Sequence, residues 1–160
     1  MYKNEIEMYP DIINWLNNRL KQKHKIAIKI NVLDTHNSDL KNFIEKLNYQ
    51  KFFPEYSTYS IRQDITAFIE YEENVDLVFV ECKNKKLNLS HLSQLIGYTF
   101  VALPIEAYLI SPYGMGSELE KLLKVFNRSD ILEIKENHKI SILKWDKIKQ
   151  DIDFNNSFLL

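Results

Sequence analysis

The sequence predicts an α/β domain, a mixed β-sheet flanked by α-helices, and three observations carry that reading. The run "VDLVFVEC" (residues 75–82) is apolar on both of its alternating faces, as in a strand covered on both sides. Segments with apolar spacings of three and four residues alternate along the chain with short apolar runs. A helical segment separates two of those runs, the order that joins parallel strands through a crossover.

The elements follow in order. "EMYPDIINWLNNRLKQ" spaces Tyr9, Ile13, Leu16 and Leu20 as one face of an amphipathic helix, with Pro10 in the first turn, where a missing amide proton costs nothing. "KIAIKINVL" sets Ile26, Ile28, Ile30 and Val32 against Ala27, Lys29 and Asn31, a strand with one wet face. The polar stretch "DTHNSDLKNFIEKLNYQ" holds a short helix capped by Asn37 or Ser38. "SIRQDITAFIEYEENVDLVFVECK" gives two β-rich runs joined by the tight polar connection "YEEN". "NLSHLSQLIGYTFVALP" is a helix with Leu92, Leu95, Ile96 and Thr99 at helical spacing, Ser90 as cap and Pro104 beyond its end. "IEAYLISP" reads as a buried strand, and "GSELEKLLKVF" as a helix burying Leu119, Leu122, Leu123 and Phe126. "ILEIKE" and "KISILKW" close the chain as shorter strands before a charged helical turn.

Composition narrows the function. The 160 residues fit a single domain spanning 1–160, with no internal repeat, low-complexity tract or linker. A formal net charge of -1 excludes an overall attraction to polyanions and leaves only a local patch. Three glycines, Gly97, Gly114 and Gly116, make no phosphate-binding loop of either common type. The single cysteine, Cys82, lies inside an apolar run and reads as a small core residue in a reducing, intracellular setting. Acids occupy the N-terminal stretch where an export signal needs apolar residues, and no run of ~18 apolar residues exists, so a soluble protein without membrane association is expected. His24, His36, His91 and His138 are scattered without metal-ligand spacing and are read as surface residues.

The chemistry gathers at "DLVFVECKNKK". Glu81 and Lys83 are two apart on a strand and share a face, and the short connection makes the strand beginning near Asp64 their neighbour. Two carboxylates on adjacent strands suit a divalent cation of the magnesium type, and an ammonium beside them can orient a water or neutralise charge growing on a phosphate. Asp76 is rejected as the second acid because it stands roughly 16 Å from Glu81, at ~3.3 Å per residue.

Asp64 followed by "ECK" resembles the PD-(D/E)XK nuclease superfamily, in which an acid on one strand precedes Glu-x-Lys on the next; Gln63 stands where the family's proline would be. Gln94 and Tyr98 in "QLIGY" resemble the Gln-xxx-Tyr element of its RecB-like and lambda-exonuclease-like branches. The resemblance covers about residues 5 to 111. It implies a restriction-endonuclease-like fold and a nuclease acting on DNA with Mg2+ or Mn2+, RNA not being excluded. Asp64 and Glu81 would be the metal ligands, Lys83 the water-positioning group and Gln94 an orienting residue. The leading helix would add an acid near the metal, Glu7 as first choice and Glu5 as second. Arg62, Lys85, Lys86 and Tyr98 are the expected nucleic-acid contacts, and so small a domain is expected to dimerise or to work with a partner protein. Strandedness, and a role in repair, recombination, restriction or a viral setting, rest with surface loops and partners.

Blander readings stand beside these. Asp, Glu and Lys at strand ends are also common as solvated sheet rims, Gln94 and Tyr98 as ordinary helix residues, and "KNKK" as a solvated loop. A buried-looking strand ending in Glu81 weighs against the rim, since an unpaired buried carboxylate is costly. The rival of another class is a non-catalytic domain that keeps the fold as a nucleic-acid clamp or assembly subunit.

Overall fold

A computed structural model describes residues 1–159 of the chain. Its elements are α1 (Tyr9–Lys23), β1 (Lys29–Asp34), α2 (Leu40–Lys46), β2 (Ile65–Glu70), β3 (Val75–Cys82), α3 (Leu89–Ala102), β4 (Glu106–Ser111), α4 (Ser117–Glu120, continued as a π-helical turn over Lys121–Val125), β5 (Glu133–Lys135), β6 (His138–Asp146) and β7 (Asp151–Ile152). The strands form one seven-stranded mixed sheet ordered β1-β2-β3-β4-β6-β5, with β7 paired to β6. β3, β4 and β6 run parallel, and the remaining pairs are antiparallel. α3 and α4 lie in the two crossovers that the parallel pairs require.

Each face of the sheet has its own core. Ile12, Leu16 and Leu20 of α1 pack on Ala67, Val78, Val80 and Tyr108. On the other face Leu92 and Leu95 of α3 and Leu119 and Leu123 of α4 cover Phe68, Leu77, Phe79 and Leu109. β3 is therefore buried on both sides along all of its length except Asp76. This is the central strand its composition predicts, and it is why the sheet ends, rather than its faces, are open for chemistry.

Several local expectations are corrected. β1 starts at Lys29 and lies at the sheet edge, so Ile26 and Ile28 are exposed, while Ile30 and Val32 pack on the core. Asp39, not Asn37 or Ser38, occupies the N-cap of α2. The cap of α3 is Asn88, which forms a capping box with His91, and not Ser90. That cap buries His91, which the sequence reading left on the surface. Ile12 replaces Ile13 as the fully buried residue of its turn. Phe126 falls beyond the π-helical turn, 61% exposed. The C-terminal segment contributes β7 and a 3-10 turn (Phe154–Asn156) in place of one charged helical turn. Among the described residues, no helix is long and apolar enough to cross a membrane.

The register of β2 on β3 positions the acids. Ile65 stands opposite Val80, and each step along β2 moves one step back along β3. Extending the ladder by one residue puts Asp64 opposite Glu81, on the side where directly opposed side chains meet.

Candidate functional site

Asp64 sits at the bend that leads into β2, Glu81 near the end of β3, and Lys83 just past it. The Asp64 carboxylate is held from two directions: the Tyr9 hydroxyl donates to Oδ1 at 2.6 Å, and the Cys82 amide donates to Oδ2 at 2.7 Å. Glu81 is 4% exposed, and its Oε1 accepts from Lys83 Nζ at 2.7 Å. Glu5, in the segment before α1, brings Oε2 to 3.7 Å from the same ammonium. Three carboxylates from three parts of the chain thus converge around one lysine.

The electrostatics follow from burial. Glu81 is pushed up to about 7 by desolvation and by the Asp64 charge, against the pull of Lys83. Desolvation also raises Asp64, although the Tyr9 and Cys82 donors and Lys83 favour its ionised form. Burial would lower Lys83, but Glu81, Asp64 and Glu5 together raise it, so this lysine stays charged. The Cys82 thiol is fully buried and pushed well up by desolvation, the behaviour of an inert core residue.

The remaining candidates divide. Glu7 is turned away from the cluster, with Oε2 accepting from the Lys3 amide at an exposed site, so the acid of the leading segment is Glu5. Gln94 is exposed on α3 and, among the described residues, makes no hydrogen bond to Asp64, Glu81 or Lys83. Tyr98 is half-buried against the core beneath α3. Arg62 is engaged with Asp39 at 2.7 Å, which leaves Lys85 and Lys86 as exposed cations on the loop after β3.

Sequence reasoning treated Tyr9 as an apolar helix position and missed its hydroxyl contact with Asp64, which only the tertiary fold creates. It also assigned no role to Gln63, which is 2% exposed with neither amide atom hydrogen-bonded.

Among the described residues no group of three or more His, Cys, Asp or Glu side chains forms a ready metal cage. Asp64 and Glu81 stand opposite each other across β2 and β3, with the Lys83 ammonium on Glu81 and Glu5 at 3.7 Å from that ammonium. A cavity of about 960 Å³ lies at the other end of β3 beside His24, Tyr71 and Asp76, away from these acids. Residues 13–160 match a family model described as "Protein of unknown function (DUF2764)", a match that spans Asp64, Glu81 and Lys83. No curated protein matches the chain.

Proposed function

We propose that this chain, which belongs to the family described as "Protein of unknown function (DUF2764)", is a metal-dependent nuclease that hydrolyses phosphodiester bonds in DNA on a restriction-endonuclease-like domain. One observation carries the reading: the register that sets Asp64 opposite Glu81, with the Lys83 ammonium hydrogen-bonded to Glu81. The donor set fits Mg2+ or Mn2+, because a buried carboxylate, Glu81, whose pKa is raised by desolvation and by the half-buried Asp64 opposite it, is relieved by a shared cation, and such ions keep several waters in place of further protein ligands. A bound ion of this kind would supply Lewis-acid polarisation of a phosphoryl oxygen and an acidified water.

The protein's own groups have separable tasks. Asp64 and Glu81 would hold the ion, Asp64 in an orientation fixed by Tyr9 and Cys82. Lys83 would orient the attacking water and offset the negative charge that grows on the phosphate. Glu81 above all, then Asp64 and Glu5, keep the lysine charged. Lys85 and Lys86 lie on the loop beside the acids, where they would contact backbone phosphates.

The non-catalytic clamp gains from one observation, the absence of a three-ligand cage among the described residues. The discriminating experiment pairs Asp64→Asn with Glu81→Gln and measures cleavage of DNA and RNA in magnesium and manganese, and DNA affinity in chelator at fixed salt. Opposed acids repel phosphate, so the double variant should lose turnover while binding metal-free DNA equally or more tightly. Lys83→Ala should lower cleavage by about 10²–10³-fold, the scale of one preorganised charge. A parent protein that cuts no DNA or RNA with either metal would favour the clamp.

A further inference from the structure

Away from the acid pair, α1, the start of β4 and the β5–β6 turn enclose a cavity of about 260 Å³. Glu106, on its wall, lies three residues before Leu109, the β4 partner of Glu81, and so ~10 Å back along the strand. The cavity opens on the α1 side through Tyr108, whereas Glu81 follows Leu77 and Phe79 on the opposite face. It is a separate place on the molecule.

Its wall is rich in cations. Arg19, Lys23 and Lys139 line it, with Glu106 as the one carboxylate among the lining residues and Ser141 adding a hydroxyl. Arg19 is held in position: its Nε donates to the Tyr108 hydroxyl at 3.2 Å, and its guanidinium carbon lies 5.8 Å and 5.9 Å from the ring centroids of Trp15 and Tyr108. Tyr108 itself is 2% exposed, so the anchor is part of the core. Glu106 is already engaged, accepting from Tyr108 and paired with Lys23. Among the described residues, Arg19 and Lys139 have no carboxylate partner.

Three cations facing one occupied carboxylate leave an excess of positive charge, and Lys23 registers it. Although it is paired with Glu106, its pKa is lowered, first by burial and then by Arg19 and Lys139. An anion placed among the three would relieve that repulsion.

We propose that this cavity binds a phosphate group, held by the Arg19 guanidinium fork and the Lys139 ammonium. A planar fork with a fixed Nε and free terminal nitrogens suits the paired oxygens of a phosphate. The volume lies just below the ~300 Å³ at which pockets for larger ligands begin. It suits a phosphate and what immediately carries it. Two sources share this chemistry, a free phosphomonoester and the backbone of a nucleic acid, and neither depends on whether the acid pair is catalytic.

The test is calorimetric titration of the full chain in chelator with inorganic phosphate, a 5′-mononucleotide, and a short single-stranded oligonucleotide without terminal phosphates. Saturable binding is expected, weakened roughly tenfold or more in both Arg19→Gln and Lys139→Gln, the scale of one charge-assisted hydrogen bond. Lys25→Gln, at the cavity of about 960 Å³ beside His24 and Tyr71, should leave it unchanged. Lys139 is exposed, so its variant keeps the test valid even if Arg19→Gln fails to fold. Tighter binding of the mononucleotide assigns the site to free phosphomonoesters, and tighter binding of the oligonucleotide assigns it to a backbone. No saturable binding of any probe, or equal binding by the parent and Lys139→Gln, overturns the proposal.

Discussion

Tyr9 shows how a residue read as core can act on the chemistry of a site. Its ring is buried against α1's neighbours, yet its hydroxyl donates to one oxygen of Asp64 while the Cys82 amide donates to the other. Burial and the Asp64 contact push the tyrosine pKa far up, so the hydroxyl remains a donor at any working pH. A ligand carboxylate held from behind by such donors is oriented before a cation arrives, and loss of an outer contact of this kind typically costs 10–100-fold in metal affinity. Tyr9→Phe keeps the ring and removes only the donor. Titration with Mn2+ should therefore show affinity falling by about that factor at nearly unchanged melting temperature. Equal affinity in the two proteins would mean that Cys82 alone orients Asp64.

At the level of elements, what was legible depended on whether a signal was local. The central strand was legible because eight consecutive residues declare burial on both faces, and the Asp64–Glu81 pairing because a tight connection between Glu70 and Val75 leaves little freedom of register. Glu5 was not distinguishable from Glu7, since the segment before α1 is a 3-10 turn whose direction is set by distant contacts, such as Tyr2 with Asp11 and Trp145. Caps were misassigned by one or two residues because Asn37, Ser38, Asp39, Asn88 and Ser90 all carry capping side chains, and only backbone geometry selects among them. Ile26 and Ile28 looked like strand residues, but an edge strand needs no burial at its free end. α3 offers a test of helix chemistry apart from function. Gly97 lies within this helix, and a Cβ built on it meets nothing within 4 Å. Gly97→Ala should thus stabilise the fold by about 0.5–1 kcal/mol, read as a raised denaturation midpoint. A loss of stability would mean that something outside the described contacts approaches this face.

Across the whole molecule, the acid pair couples stability to pH and, on the proposed function, to metal. Glu81 titrates at about 7 in the folded protein, against 4.5 for an ordinary glutamate, and Asp64 is displaced in the same direction. Between those two values the native state holds a proton that the unfolded chain has released, so the metal-free protein should lose stability as pH rises from about 4.5 to about 7. At ~1.4 kcal/mol per unit the loss is on the order of a few kcal/mol. His24 and His91 work the other way: burial lowers both below 6.5, so their contribution grows as pH rises toward that value. The difference between the parent and Glu81→Gln isolates the acid from these histidines. In chelator, melting temperature followed from pH 4.5 to 8 should decline more steeply for the parent than for Glu81→Gln. On the proposed function Mg2+ is held by the ionised pair, so its stabilising effect should grow with pH in the parent and be absent from the variant. Parallel pH profiles would remove the buried carboxylate as the source of the slope, and equal Mg2+ stabilisation of both proteins would place the ion elsewhere.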